Sequence, residues 1–470
     1  LALREQVLRG GVYLSARQAI GLATGVVGVL LVSRLIGPTQ YGLYRGALEI
    51  VAFFAGVARW GLDAYLVRRK EEPTAAIENQ AFSLLLIGSL GFAALGFASL
   101  PLLGRWLGDP RYLPPLRLLL AVLPFTVLSI PAVARLERAL DYRKVAGLET
   151  VGQILYHGLA VWLAWLGWGL WAPVAGYVLW QVWTTFASWV LAGYRPAWRW
   201  SRPLVREMFT YGAGFSSSFW AYNLRTLVNP LVVGRFLGPQ AVGFVSLTIR
   251  LVESLGFVRT ATFRLSLAAL GRVQKDTSRL RRAVEEGMGL QAIAVGIPLS
   301  LFALTAPFAV PRLFGAQWAP ALQVLPFISA GFFMGAIFGM HAALLHVTGR
   351  NLLVTRANVL HAALFWAAAL LLVPKIGLVG YGVAEIAAMG SYLVLHRSVV
   401  RFIPVGYSRA LPWILAFLPI LFFPVVDWRW GIALLLPAGA VGAGARTRGQ
   451  LREVWSLLWK PPPEGSQLRA

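Results

Sequence analysis

Apolar runs long enough to cross a bilayer follow one another along nearly the whole chain, separated by short polar turns. A membrane-spanning helix needs roughly 20 apolar residues. On that criterion the pattern predicts helices near 11–36, 42–66, 79–103, 113–135, 145–167 and 170–193, then 207–233, 242–268, 284–310, 319–347, 353–373 and 377–398. Two shorter apolar stretches follow at 410–425 and 429–445, so the chain reads as an all-α polytopic membrane protein of about fourteen spans. Pro412, Pro419 and Pro424 mark the last pair as kinked or re-entrant.

The apolar pattern repeats. Ser33–Asp63 returns in outline at Gly234–Arg264, where an offset of 201 aligns Arg34 with Arg235, Gly37-Pro38 with Gly238-Pro239, and Gly42 with Gly243. Each copy is an apolar run, a Gly-Pro turn and a second apolar run. Gly permits a positive φ and Pro cannot continue the preceding helix, so each copy reads as a helical hairpin whose tip crosses one membrane face. Leu123-Pro124 pairs with Leu325-Pro326, and Gly169-Leu170 with Gly377-Leu378. The chain therefore divides into like-oriented halves, 1–202 and 203–404, with two further helices and a tail at 405–470. An internal repeat of this length in a membrane protein suggests a transporter.

Composition agrees: hydrophobic residues make up 58% of 470, charged residues 13%, and mean hydropathy is +0.66. The formal net charge of +24 would suggest nucleic acid in a soluble domain, so its location decides. Basic residues concentrate at the N-terminus (Arg4, Arg9) and in alternate loops, for example Arg68–Lys70, Arg135–Lys144, Arg195–Arg202 and Arg272–Arg282. Arg350, Arg401, Arg409 and the tail from Arg446 continue the alternation, which places both termini in the cytoplasm of an inner-membrane protein and argues against a nucleic-acid partner. Arg446–Trp459 reads as a short basic amphipathic helix on the membrane surface or an ordinary stop-transfer tail. The first ten residues lack the layout of a cleaved signal, and Leu1 in place of Met suggests a misread start or a trimmed sequence. With no cysteine and five scattered histidines, no metal site or other cofactor is expected.

Charges inside the spans need a cause, because an ionisable group in lipid is costly. In the second span Arg45, Glu49, Gly56, Arg59 and Asp63 fall in one arc at 100° per residue; in the eighth, Ser246, Arg250, Glu253, Thr260 and Arg264 do the same. Ser218, Tyr222, Arg225 and Asn229 form a polar face on the seventh, and Arg17 lies on the first beside Gly21, Thr24 and Gly28. Arg45 with Glu49, and Arg59 with Asp63, are i,i+4 pairs that could neutralise one another in a packed interface. Arg17 and Arg225 have no acid in their own spans, which points to an anion from elsewhere. Arg259 lies off the stripe, as a packing or snorkelling residue would. Lone membrane histidines such as His341 and His396 read as hydrogen-bonded packing residues before proton carriers. Asp63, Glu253 and Glu385 are candidates for coupling to a proton or sodium ion.

In the order and spacing of these features the chain resembles the polysaccharide transporter family, the oligosaccharide flippases of the multidrug/oligosaccharidyl-lipid/polysaccharide exporter superfamily. The residues that carry the resemblance are the motif Arg34–Gly42, its echo Arg235–Gly243, the repeat of six plus six spans, and the Gly-Leu starts of the sixth and twelfth spans. It implies a V-shaped pair of six-helix lobes around a central cavity. It also implies alternating access that moves an undecaprenyl-diphosphate-linked glycan to the outer leaflet, in the service of polysaccharide polymerase or ligase machinery. No family motif identifies the binding arginines, so Arg17, Arg45, Arg59, Arg225, Arg250 and Arg264 are assigned from periodicity alone. A lipid II flippase and a multidrug extruder share the expected fold, although an extruder of cationic drugs should favour acidic cavity residues. A membrane glycan polymerase or ligase is the reading from a different class; it would need a sizeable outer loop, and every outer loop here is short.

Overall fold

Among the residues that the structure, a computed structural model, describes, every regular element is a helix. These residues are 2–69, 71–256, 259, 270–271, 276–444 and 447–451, with side chains from 21 onward except 22, 23, 213–215, 217, 218 and 428. A helix satisfies its own backbone groups, which is what an apolar chain in lipid requires. Seven described helices are long and apolar enough to cross a membrane, among them Ala75–Leu107, Thr277–Leu313 and Leu325–Val347. The last apolar stretches form only the shorter helices Leu411–Val425 and Arg429–Ala443.

The Gly-Pro turns appear where the sequence puts them. The helix Ala2–Ala58 breaks at Gly37 (φ 76°, ψ 170°), and Gly234–Leu255 breaks at Gly238 (φ 80°, ψ 179°). A third break, at Ile376-Gly377, divides Asn351–Ala388 where the eleventh and twelfth spans were predicted to meet.

Several predicted spans are less regular than their apolar patterns. The second, expected as one helix over 42–66, stops at Ala58 and resumes only at Leu62–Arg68, across a turn with positive φ at Trp60 (48°) and Gly61 (69°). Trp60 is held by packing: its indole lies against Phe209 and Trp220, and its Nε1–H donates to the Phe209 carbonyl at 3.2 Å. A Cβ at Gly212 would lie 2.0 Å from its ring, so only glycine fits opposite it. The fourth span is divided at Leu123–Thr126, where Pro124 interrupts the amide ladder, into Leu113–Val122 and Ile130–Arg138. The seventh ends in a π turn at Asn229–Val233 around Pro230.

The chain forms two compact units. The first comprises Leu1–Thr248, Val310–Ala321 and Asn358–Ala388; the second comprises Ile249–Ala309, Leu322–Ala357 and Met389–Ala470. The first unit's core gathers Tyr44, Ala47, Val51, Leu116, Leu119 and Leu123, all at most 1% exposed. Two of the basic loop residues serve it directly. Arg138 donates from Nη1 to the carbonyls of Leu66, Val67 and Arg69, closing the end of Leu62–Arg68, and Arg135 pairs with buried Glu78. In the second unit Phe333 and Phe417 pack edge to face, and Tyr407 hydrogen-bonds to His341 (3.1 Å) and His396 (2.9 Å). These two histidines are packing residues, as read from the sequence, but they form a pair instead of standing alone. Most of the predicted tail helix Arg446–Trp459 lies outside the described residues.

Candidate functional site

The two hairpin tips meet. A Cβ on Gly42 would lie 1.8 Å from the Pro239 carbonyl oxygen, and one on Gly243 would lie 2.2 Å from that of Pro38. The repeated Gly-Pro-x₃-Gly motif is thus self-complementary: each second glycine receives the other copy's proline carbonyl. The motif arginines anchor the tips. Arg34 Nη1 donates to the carbonyls of Arg312 (3.1 Å) and Leu313 (2.9 Å), satisfying the free end of Thr277–Leu313, and Arg235 lies 5.8 Å over the Trp106 ring.

Below the tips, the polar arc of the second span packs on the seventh and eighth. Arg45 Nη2 donates to Glu49 Oε1 at 3.2 Å, confirming the i,i+4 pair. The Glu49 carboxylate also accepts from Asn229 Nδ2 (3.1 Å) and Ser246 Oγ (3.1 Å), while Asn229 Nδ2 reaches Ser246 Oγ at 2.8 Å. Asn229 and Ser246 are at most 1% exposed. The network therefore joins equivalent arms of the two repeats through one carboxylate. A cavity of about 140 Å³ lies beside it, lined by Glu49, Phe53 and Gly56 on one side and Phe219, Asn223 and Thr226 on the other.

Arg225 sits one turn before Asn229. Its guanidinium lies 4.2 Å over the Tyr222 ring, donates to the Tyr222 hydroxyl at 2.5 Å, and approaches Glu385 Oε1 at 3.8 Å. The inference that Arg225 needs an outside anion is corrected here. Its acid is Glu385 on the twelfth predicted span, 160 residues away and 9% exposed, which no pattern within the seventh span could reveal.

The other assigned residues are more scattered. Arg59 and Asp63 are exposed on either side of the Trp60-Gly61 turn, so they are not the i,i+4 pair expected of an unbroken helix; Asp63 Oδ1 accepts instead from the Ala64 amide at 2.8 Å. Arg250 and Glu253 are exposed on the last turns of Gly234–Leu255, in the second unit. Arg259 stacks 4.8 Å over the Phe332 ring, in keeping with its reading as a packing residue. Arg17 belongs to the first helix with its side chain outside the described residues, and Arg264 lies wholly outside them.

Comparison with known proteins bears out the resemblance. Residues 31–323 match the model of the polysaccharide biosynthesis protein family. The chain is 26% identical over 363 residues to the succinoglycan biosynthesis transport protein ExoT of Rhizobium meliloti (strain 1021), covering 76% of this chain and 71% of that one. It is 25% identical over 339 residues to the lipopolysaccharide biosynthesis protein WzxC of Escherichia coli (strain K12), covering 69% and 67%. Of solved structures, the lipid II flippase MurJ in an inward closed conformation matches with a TM-score of 0.69 at 11% identity, over 96% of this chain and 99% of that one. An inward-facing MATE family multidrug resistance transporter of the MOP superfamily matches at 0.61 and 18% identity, over 83% and 98%. The fold is thus that of the MOP exporters, and, with the family model covering more than half of its length, the chain belongs to the polysaccharide biosynthesis protein family.

Proposed function

We propose that the protein flips an undecaprenyl-diphosphate-linked oligosaccharide across the cytoplasmic membrane by alternating access, for surface polysaccharide biosynthesis. The observation that carries this reading is Arg225, a membrane arginine whose acid Glu385 stands off at 3.8 Å, beside the polar network of Arg45, Glu49, Asn229 and Ser246, in a chain whose relatives include a succinoglycan biosynthesis transport protein. A transport protein among the relatives favours carriage over glycan polymerisation or ligation. In this reading the chain makes fourteen spans with both termini cytoplasmic, as two six-helix halves, 1–202 and 203–404, and an appended segment at 405–470. It hands its product to the polymerase or ligase machinery.

A diphosphate suits arginine, whose planar fork donates two hydrogen bonds to adjacent phosphate oxygens. Arg17, Arg59 and Arg264 form the cytoplasmic level of the path, and Arg45, Arg225 and Arg250 the outer level, where Arg225 takes the phosphate and Arg45 holds the network beside it in place. The headgroup passes from one level to the other while the polyprenyl tail remains in lipid. A coupling proton acts at Glu385: neutralising that carboxylate releases Arg225 to the incoming phosphate. Asp63 and Glu253 are the alternative carriers of a proton or sodium ion.

The test is translocation of a labelled lipid-linked oligosaccharide in proteoliposomes, with lipid II as a parallel cargo. The Arg17→Ala, Arg225→Ala double variant should be folded and inactive, and lysine at either position should restore part of the activity. Undiminished transport by the folded double variant would sink the reading, and transport of lipid II alone would reassign the cargo.

A further inference from the structure

The end of the second unit that carries its basic loops holds a pocket of about 400 Å³, the scale of a small-molecule site. Its walls come from the first turn of Thr277–Leu313, the last turn of Leu325–Val347, and the segment that follows Ser391–Val400. Thr277, Thr348, Arg350, Arg401 and Phe402 supply its polar and aromatic lining. None of them belongs to the stripes assigned to transport.

Local sequence fixes one arginine there. Gly349, at φ 73°, ends the helix Leu325–Val347, and the Arg350 amide then donates back to the Leu345 carbonyl at 2.7 Å, turning Arg350 over the helix end. Its guanidinium lies 3.1 Å from the centroid of the Phe402 ring, so one face is covered and the N–H edge is held in a single plane. Nη1 is nevertheless buried with no hydrogen-bond acceptor among the described residues. Leaving a buried donor unsatisfied is costly, and at a charged group more so.

Nearby carboxylates are already engaged. Asp276 pairs with Arg279 (3.2 Å) and caps the helix that follows it, Glu285 pairs with Arg281 (2.8 Å), and Glu286 pairs with Arg409 (3.2 Å). Among the described residues no ion pair joins Arg350 or Arg401 to an acid. The pocket thus presents two uncompensated guanidinium groups, one of them pre-oriented, while Asp276 occupies the neighbouring helix end.

We propose that this pocket binds a phosphate group, held in a forked contact by Arg350 with Arg401 as the second cation. The proposal does not rest on the transport reading. The ligand is the phosphate of an anionic membrane lipid or of a soluble phosphate compound, and the experiment separates the two. Full-length protein is purified in detergent and stripped of lipid. Native mass spectrometry then measures binding of phosphatidic acid against diacylglycerol of the same chains, and calorimetry measures binding of inorganic pyrophosphate. One-to-one binding of a phosphate probe is expected, weakened about tenfold or more by Arg350→Gln. Phe402→Leu, which keeps both charges and removes the stacked face, should also weaken it, and unliganded melting temperatures should stay unchanged. Phosphatidic acid binding alone identifies a lipid site, pyrophosphate binding alone identifies a soluble ligand, and binding of both assigns the site to the phosphate itself. Should Arg350→Gln not fold, Arg401→Gln, at an exposed position, carries the test by the same criterion. Failure of both probes to bind, or equal binding by the Arg350→Gln, Arg401→Gln double variant, would overturn the proposal.

Discussion

Alanine at Gly42 adds one methyl group at the point where the repeats touch. That carbon would lie 1.8 Å from the Pro239 carbonyl oxygen and 2.7 Å from the Gly243 amide nitrogen, where contacts under 3.0 Å are essentially never found. Both neighbours are backbone, so no side chain can rotate aside, and the tips must separate by more than about 1 Å. Forcing volume into a packed contact costs about 1–3 kcal/mol, and a bias of that size between two conformations shifts their ratio by about 5- to 150-fold. The same change at Gly91, which has nothing within 4 Å, adds only helix propensity and serves as the control. Because the chain has no cysteine, Thr39→Cys and Gln240→Cys report tip closure directly. In the Gly42→Ala background their oxidative cross-linking should fall and their labelling by an impermeant maleimide should rise at least about fivefold. Unchanged cross-linking and labelling in folded Gly42→Ala protein would refute the argument that these glycines are the point of tip contact.

Two further outcomes concern stability. Glu78 is 5% exposed while its partner Arg135 is more open, so the two ends of this pair are not equivalent. Glu78→Gln should cost about 1–3 kcal/mol, whereas Arg135→Gln, which strands a buried carboxylate, should cost more, about 3–5 kcal/mol; equal shifts in melting temperature would contradict the buried-charge reasoning. At the Asp109 turn, hydrogen bonds from the Arg111 side chain and amide hold the Asp109 carboxyl below its ordinary value. A depressed carboxylate contributes stability above its unfolded value, about 3.9, and loses that contribution as pH falls through the folded value. Melting temperature against pH should therefore fall more steeply below about pH 4 in the parent than in Asp109→Asn, and parallel curves would show that this carboxylate adds nothing.

What was legible in the sequence was local. Gly37-Pro38 and Gly238-Pro239 could be read as turns because positive φ and a missing amide proton are properties of those residues wherever they stand. Arg45–Glu49 could be read because four residues bring two side chains together on any regular helix. Asn229 and Ser246 were each placed on the correct polar face, although nothing in either span said that both would close on Glu49. The arc from Arg45 to Asp63 failed for a specific reason: it assumed 100° per residue through Trp60-Gly61. Trp60 is instead seated opposite Gly212, about 150 positions along, and the helix is interrupted there. The Arg225–Glu385 contact was hidden in the same way, since neither residue carries a mark of the other within its own span.

The arginines now separate by what they already hold, and this decides which can receive a substrate phosphate in the proposed cycle. Arg34 and Arg138 are occupied with helix-end carbonyls, so moving either would undo the end of a helix. Arg45 is matched to Glu49 at 3.2 Å, but Glu49 is itself fixed by Asn229 and Ser246. A phosphate approaching Arg45 would meet a carboxylate that cannot withdraw, and like charges at that range in a low-dielectric site repel strongly. Arg225 differs. Its acid stands off at 3.8 Å, and Tyr222 covers one face of the guanidinium without consuming its charge. Between Arg45 and Arg225, Arg225 is therefore the one able to exchange an internal carboxylate for an external phosphate, and Glu385 is the group whose protonation would favour the exchange. Arg45, with the same charge and the tighter partner, is better suited to hold the repeats together.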